Sequence, residues 1–148
     1  MKSIPVTCAV IWFEGKILCA KRSVTMSQPR LWEFPGGKVE QEELPEDCLI
    51  REILEELNIS VRIVIAMSPS EFSYSLEKTI RLLPFLCTWE SGLIQLLEHE
   101  EVRWLTKEEL FSVNWAAADL PIVQELDRFW NPVQKLIVKD TQTQKNAS

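Results

Sequence analysis

Residues 36–59, GGKVEQEELPEDCLIREILEELNI, combine two adjacent glycines, a run of acidic side chains and a segment with helical periodicity. Apolar side chains recur at Leu49, Ile53 and Leu57, which is the spacing of a helix that buries one face. Glycine has no Cβ, so the backbone at the pair can approach a ligand or another chain segment closely. The sequence therefore predicts a helix over about residues 45–58 behind a glycine turn.

Three glutamates, Glu52, Glu55 and Glu56, fall on the opposite side of this helix. Like charges one turn apart cost a helix about 0.2 to 0.5 kcal/mol per pair. The simplest interpretation is a solvated acidic face. However, Glu43 lies between the glycines and the helix, and carboxylate and carbonyl oxygens are the ligands that Mg²⁺ and Mn²⁺ accept. The combination favours a metal site.

Composition limits the class of protein. A chain of 148 residues with 46% hydrophobic content is long enough for one domain with a core. Its net charge of -6 repels the phosphate backbone, so we expect no nonspecific binding to a nucleic-acid polymer. No apolar run approaches the roughly 20 residues needed to span a bilayer, so no membrane association is expected.

The segment 1–13 is typical of a strand and lacks the cleavage site of a signal peptide. The cysteines show no C-x-x-C spacing and lie among apolar neighbours, which is typical of buried, reduced thiols. They are Cys8, Cys19, Cys48 and Cys87. These features predict a cytoplasmic protein.

Elements on either side of the helix are predominantly of strand type. Residues 4–13 and 16–23 are predicted to form a hairpin through Glu14-Gly15, and strand patterns recur between Ser60 and Trp89. Residues 102–104 then predict another strand.

The C-terminal part of the chain is predicted to contain two further helices. Thr106 and Glu109 have the spacing of a capping box that starts the first of them. The second is expected over about residues 119–130, ending at Pro132. Residues 133–140, VQKLIVKD, are compatible with an edge strand, followed by a polar, disordered tail.

The glycine and glutamate positions follow the spacing G-x5-E-x7-R-E-U-x-E-E-x-G-U, where U is a bulky apolar residue. The matching residues are Gly37, Glu43, Arg51, Glu52, Ile53, Glu55, Glu56 and Ile59. With this motif the chain resembles the Nudix hydrolases. Asn58 replaces the last glycine, and asparagine is the next best residue for the left-handed conformation that ends a helix.

The resemblance implies an α/β fold, the Nudix α/β/α sandwich, with a mixed β-sheet between helices. We expect residues 1–132 to form the Nudix hydrolase domain and residues 133–148 to form a partly disordered extension. The stretch LWEFPGGKVE, residues 31–40, is also similar to the corresponding stretch of MutT-type members of the family.

The resemblance also implies a Mg²⁺ site, with Mn²⁺ as an alternative. Its ligands would be the Gly36 carbonyl and the side chains of Glu52, Glu55, Glu56 and Glu98. The implied catalytic residues are Glu52 as the general base, Arg51 as a brace that pairs with Glu43, and Glu98. Glu100 or Glu101 are alternatives to Glu98, which is otherwise part of a solvated acidic loop. The single histidine, His99, is expected to be a loop hydrogen-bonding residue.

The implied substrate-binding residues are Arg22, Phe34, Lys38 and Asp119. Arg22 is otherwise a surface strand residue and Phe34 a core aromatic. The segment around Asp119 is similar to the CTP pyrophosphohydrolase branch of the family. An ionised aspartate accepts hydrogen bonds, which suits the exocyclic amine of cytosine or the N1-H and N2-amine of guanine. The alternative role for Asp119 is to cap the following helix.

The resemblance therefore implies an enzyme that hydrolyses nucleoside triphosphates to the monophosphate and pyrophosphate. CTP, dCTP or a modified dCTP is the expected substrate, and 8-oxo-dGTP is the alternative. A non-catalytic nucleotide-binding module is the alternative from another class of function. The protein is expected to be a monomer or a homodimer.

Overall fold

The computed structural model describes residues 3–147, which fold into strands and helices in the following order. The strands are β1 Ser3–Phe13, β2 Lys16–Lys21, β3 Trp32–Glu33, β4 Gly36–Lys38, β5 Ser60–Ala66, β6 Ser70–Ser73, β7 Thr79–Ser91 and β8 Glu101–Leu105. The helices are α1 Pro45–Leu57, α2 Leu120–Arg128 and α3 Trp130–Ala147, with 3-10 turns at Lys107–Glu109 and Ala117–Asp119. The strands form one mixed sheet in which β1 runs parallel to β7.

Strands β1 and β2 form the predicted hairpin and then diverge. They pair next to the turn, where Trp12 lies opposite Ile17. Further along, β3 pairs with β2 through Glu33, and β4 pairs with β1 through Gly36. The other edge of β1 pairs with β7 and the other edge of β2 pairs with β8. The segment 32–38 therefore fills the gap between β1 and β2. This fork places the two glycines inside the sheet.

The sheet has a hydrophobic core on each face. Side chains alternate along β1, so Ala9 and Ile11 pack into the core that contains α1, whereas Val10 and Trp12 pack into the core that contains α2 and α3. The predicted α/β/α sandwich with a mixed sheet is therefore confirmed.

Helix α1 has the ends that its sequence predicts. Pro45 lies in its first turn, where a missing N–H costs nothing. Asn58 ends the helix with φ 60° and ψ 30°, in the left-handed region, and its N–H donates to the Leu54 carbonyl at 3.0 Å. Leu49 and Ile53 are fully buried, so replacing either by alanine would cost about 2 to 5 kcal/mol.

The C-terminal segment differs from the expectation. The edge strand predicted over residues 133–140 is wrong, because this segment and the residues after it continue α3 to Ala147. Pro132 does not stop a helix; it lies in the first turn of α3, where proline is tolerated. Trp130 and Ile137 are buried two turns apart, a helical spacing that anchors α3 to the sheet. The division of the chain after residue 132 stays a prediction.

The two other predicted helices are shorter than expected. Thr106 and Glu109 form the predicted capping box, with Glu109 Oε1 accepting from Thr106 N at 3.0 Å, but the element it starts is only a 3-10 turn. Helix α2 lies within the predicted range 119–130. The four cysteines are buried and free, as predicted. Within residues 3–147 no helix combines the length and apolar character of a membrane span.

Candidate active site

A cavity of about 590 Å³ opens beside the fork in the sheet. It brings together most of the predicted site residues, which come from the loop after β2, the 32–38 segment, α1, the β7–β8 connection and the turn before α2. Those lining it are Arg22, Phe34, Gly36, Lys38, Glu52, Glu56, Glu98 and Asp119. Arg51 and Glu55 are not among the lining residues.

The two glycines are required by close approach. A Cβ on Gly36 would lie 2.0 Å from the Thr7 carbonyl oxygen. A Cβ on Gly37 would lie 2.3 Å from the Cδ atom of Glu52. The predicted glycine turn is wrong, because Gly36 and Gly37 belong to strand β4. The Thr7 hydroxyl donates to the Gly37 carbonyl at 3.2 Å and holds β4 against β1. Only glycines allow β1, β4 and the Glu52 carboxylate to meet here.

Glu56 is the buried carboxylate of the site, with 3% of its surface exposed. Its Oε2 accepts the Gly36 N–H at 2.9 Å. Burial, and after it the charges of Glu33, Glu98 and Glu52, raise the pKa of Glu56 to about 9. The alternative interpretation of a solvated acidic face does not hold for Glu56, because β4 covers this part of α1.

Arg51 binds the acidic side chains around it. The predicted ion pair with Glu43 is present and bidentate, with Nε to Oε2 at 2.8 Å and Nη2 to Oε1 at 3.0 Å. This contact lowers the pKa of Glu43 to about 2. The Arg51 Nη1 donates to Glu52 Oε1 at 2.9 Å and approaches Glu55 Oε2 at 3.3 Å. Arg51 therefore holds the loop before α1 and the Glu52 carboxylate together.

The remaining predicted acidic ligands differ in position. Glu55 has a 53% exposed side chain that contacts Arg51 outside the cavity lining. Glu98 is exposed and lines the cavity, whereas Glu100 and Glu101 do not line it. The charge of Glu98 contributes to the raised pKa of both Glu52 and Glu56, after burial as the main cause for each. Three of the four glutamates predicted as metal ligands therefore line the cavity, and Glu55 does not.

Asp119 occupies another wall of the same cavity and is buried. Its Oδ1 accepts the Phe34 N–H at 2.9 Å, and its side chain makes no capping bond to α2. Burial raises the pKa of Asp119 to about 8, so the protonated form predominates at neutral pH and the expected ionised form is the minor one. Phe34 is a core aromatic that packs on Trp115 with ring centroids 4.7 Å apart, and it also lines the cavity. Its role in substrate binding stays a prediction.

Arg22 is held by internal contacts. Its Nε donates to the Ser27 carbonyl at 2.6 Å and its Nη1 to Glu33 Oε1 at 2.6 Å. The other oxygen of Glu33 lies 2.8 Å from His99 Nε2. His99 is therefore the hydrogen-bonding residue that was predicted. Its partner could not be predicted from the sequence, because the two residues are separated by 66 positions. Lys38 is exposed.

The carboxylates fit a hard divalent cation in their chemistry, although they are not arranged as a closed cage. Among residues 3–147, no three acidic, histidine or cysteine side chains surround a common point. Glu52 is held by Arg51 and Glu56 by the Gly36 N–H. Both have a raised pKa, which mutual repulsion increases and which a cation would relieve. Oxygen donors are those that Mg²⁺ and Mn²⁺ prefer.

Known proteins share this sequence and fold. The profile of the NUDIX domain matches residues 1–126. A CTP pyrophosphohydrolase of Escherichia coli is 36% identical over 128 residues, covering 84% of this chain and 91% of that protein. An 8-oxo-dGTP diphosphatase of the same species is 26% identical over 129 residues, covering 86% and 99%. The solution structure of the E. coli ORF135 protein matches with a TM-score of 0.77 and 32% identity, covering 89% of this chain and 94% of that one. Profile, relatives and fold agree, and the chain belongs to the Nudix hydrolase family.

Proposed function

We propose that the protein is a Mg²⁺-dependent pyrophosphohydrolase that converts CTP, dCTP or a modified dCTP to the monophosphate and pyrophosphate. The observation that carries this proposal is a single cavity lined both by the glutamates of α1 and by Asp119. Carboxylates suit a cation that carries phosphates, and Asp119 offers a hydrogen-bonding group for a base. The role proposed for this activity is the removal of unwanted nucleotides in the cytoplasm.

Asp119 supports the choice of base. One of its oxygens accepts from Phe34, and a base that donates to the other oxygen would favour the ionised form, in which both oxygens act only as acceptors. Cytosine offers an exocyclic amine to such a group, whereas uracil offers a carbonyl at the same position and is disfavoured. The E. coli relative described as a CTP pyrophosphohydrolase supports the same choice.

A second candidate substrate is 8-oxo-dGTP. The N1-H and N2-amine of guanine are adjacent donors that an ionised carboxylate also accepts. The E. coli relative described as an 8-oxo-dGTP diphosphatase supports this alternative. Asp119 would accept hydrogen bonds from either base, so discrimination between the two substrates would depend on other residues of the cavity.

The metal end of the proposed site consists of oxygen donors. The Gly36 carbonyl, Glu52, Glu56 and Glu98 would hold Mg²⁺, with Mn²⁺ as an alternative. Glu55 is assigned as a metal ligand by the family resemblance alone. Its side chain contacts Arg51, through which it would act on the site. When bound, the cation supplies neutralisation of the phosphate charge and a water molecule that loses its proton more readily.

Glu52 is the proposed general base. Its pKa is raised, chiefly by burial, so the carboxylate is a better proton acceptor than an exposed one. Arg51 fixes one of its oxygens. Water would transfer its proton to Glu52 and attack the β-phosphorus; the bond from the β-phosphorus to the bridging oxygen then breaks. That oxygen leaves with the nucleoside monophosphate, and the water oxygen remains in pyrophosphate.

The test is pyrophosphate release from a panel of canonical and modified triphosphates with Mg²⁺, by the wild type and by Asp119→Asn. We expect turnover with the highest kcat/KM for a cytidine-type triphosphate, and a changed ranking of bases in the variant, because an amide also donates. Binding without turnover of any triphosphate would favour the non-catalytic module. An unchanged ranking in Asp119→Asn would remove base recognition from this residue. Gel filtration separates the proposed monomer and homodimer.

A further inference from the structure

The connection from β7 to β8 carries Glu98 and is tied to the rest of the protein on either side of it. The Leu97 N–H donates to the Glu56 carbonyl at 3.1 Å, at the end of α1. The Glu100 N–H donates to the Lys21 carbonyl at 3.0 Å, at the end of β2. Between these two backbone hydrogen bonds, a buried side chain provides a third anchor for the connection.

That anchor is His99. Its side chain is fully buried and its Nε2 lies 2.8 Å from Glu33 Oε2. A carboxylate accepts, so Nε2 carries the hydrogen and donates. The preceding residue, Glu98, is exposed and lines the cavity. Burial of His99 therefore accompanies the presentation of Glu98 to the site.

Glu33 also connects this anchor to the other side of the cavity. Its second oxygen accepts from Arg22 Nη1 at 2.6 Å, and Arg22 Nη2 donates to Ser27 Oγ at 3.0 Å. Glu33, Arg22 and Ser27 all line the cavity. The chain of contacts from Ser27 to His99 thus runs from the loop after β2 to the residue beside Glu98.

We propose that Glu33 and His99 are positioning residues that hold Glu98 at the metal and phosphate end of the site. This inference rests on the proposed function, in which Glu98 acts there. If the pair merely stabilised the fold, its loss would lower stability without acting through Glu98. A displacement of about 1 Å at a reacting centre can cost about 100-fold in rate, so loss of the anchor reduces kcat. KM changes little, because Asp119 and Phe34 remain in place.

The test measures kcat and KM for the preferred triphosphate in His99→Leu and His99→Gln. Leucine fills the space but cannot donate, so we expect kcat to fall about 10- to 100-fold with KM within about twofold of the wild type. The glutamine amide reaches the place of Nε2 and donates to Glu33, so His99→Gln recovers most of the lost kcat. Gln95→Ala, an exposed change in the same connection but outside the cavity lining, is the matched control with wild-type kinetics.

A double-mutant cycle separates positioning from stability. If His99 acts through Glu98, His99→Leu has no further effect on kcat in a Glu98→Gln background. An equal fold-loss in both backgrounds, or a wild-type kcat in His99→Leu, overturns the proposal. If His99→Leu does not fold, His99→Asn, which is too short to reach Glu33, replaces it in the same cycle.

Failure of the proposed function is distinguishable from failure of this inference. If the wild type hydrolyses no triphosphate, the proposed function fails, and amide hydrogen exchange tests the anchor on its own. We then expect faster exchange at Leu97 and Glu100 in His99→Leu than in His99→Gln, with Asn58 at the end of α1 unchanged. Equal exchange in both variants overturns the proposal.

Discussion

Gly37 lies against the side chain of Glu52, so closely that a Cβ on the glycine would be 2.3 Å from the carboxyl carbon. The preceding glycine faces a different neighbour, because a Cβ on Gly36 would be 2.0 Å from the backbone oxygen of Thr7. A side chain can move aside, whereas the backbone of a central strand cannot. Two adjacent glycines are therefore required for different reasons, one for the site and one for the fold.

Alanine at these two positions should have different effects. Gly36→Ala is expected to lower the free energy of unfolding by about 3 kcal/mol, because β4 must move away from β1. Gly37→Ala is expected to keep its stability within about 1 kcal/mol and to lose activity by displacing Glu52. Denaturant unfolding and kcat for both variants provide the check. Wild-type stability in Gly36→Ala would contradict the close packing.

Arg51→Lys tests the brace between Glu43 and Glu52. Lysine has no planar fork and cannot make the bidentate contact with Glu43 while reaching Glu52. The pKa of Glu43 should therefore rise from about 2 towards its ordinary value of 4.5, and kcat should fall about 10- to 100-fold. Carboxyl NMR titration and steady-state kinetics measure both effects.

A matched control for this change is Arg103→Lys, since Arg103 Nε pairs with Glu101 Oε2 at 2.8 Å outside the cavity. Its kinetics should be those of the wild type. An unchanged Glu43 titration in Arg51→Lys would mean that another group lowers the pKa of Glu43.

Asp119 should make stability depend on pH. Its pKa is raised from 3.8 to about 8 in the folded protein. As the pH rises, Asp119 ionises in the unfolded chain before it ionises in the folded protein. Its contribution to stability is therefore complete below about pH 4 and is lost as the pH rises towards 8. In Asp119→Asn this contribution is absent, so the melting temperature of the variant relative to the wild type should increase over that interval.

Asp127→Asn, an exposed change in α2, is the control for the pH series and should follow the wild type throughout. Parallel melting curves for Asp119→Asn and the wild type from pH 4 to 8 would show that the folded pKa of Asp119 is not raised.

Local sequence patterns were sufficient for α1 but not for the glycines before it, which form strand β4 rather than the predicted turn. Pro45, the apolar spacing and Asn58 define α1 without reference to the rest of the chain. The burial of Glu56 could not be predicted in this way, because a helical wheel does not include β4. The contact between Glu33 and His99 was missed for a similar reason, since it joins two distant segments that only the fork in the sheet brings together.

The C-terminal helix was missed because its apolar residues are consecutive. The run Leu136, Ile137 and Val138 is typical of a strand, yet only Ile137 of the three is buried. The decisive spacing is that from Trp130 to Ile137, and it begins before Pro132, a residue that is more typical of the end of a helix than of its interior. Trp130 packs on Trp12 with ring centroids 4.6 Å apart, a contact that depends on the tertiary fold.

Proline at an exposed position of α3 distinguishes this helix from an edge strand or a disordered tail. Val138 is 52% exposed, so Val138→Pro loses little packing but interrupts the helix, at a cost of about 3 kcal/mol. The ion pair between Arg62 and Asp140 should be lost with it. Circular dichroism and denaturant unfolding are the measurements, with Val138→Ala as the control. Equal helicity in the two variants would contradict a helix through this position.

The central claim is that the glycines of β4 and the glutamates of α1 form a divalent metal site. The most direct measurement is anomalous scattering from crystals soaked in Mn²⁺. We predict an anomalous peak bound by the Gly36 carbonyl, Glu52 and Glu56, and its loss in Glu56→Gln crystals. Wild-type crystals with no peak between β4 and these side chains would contradict this claim.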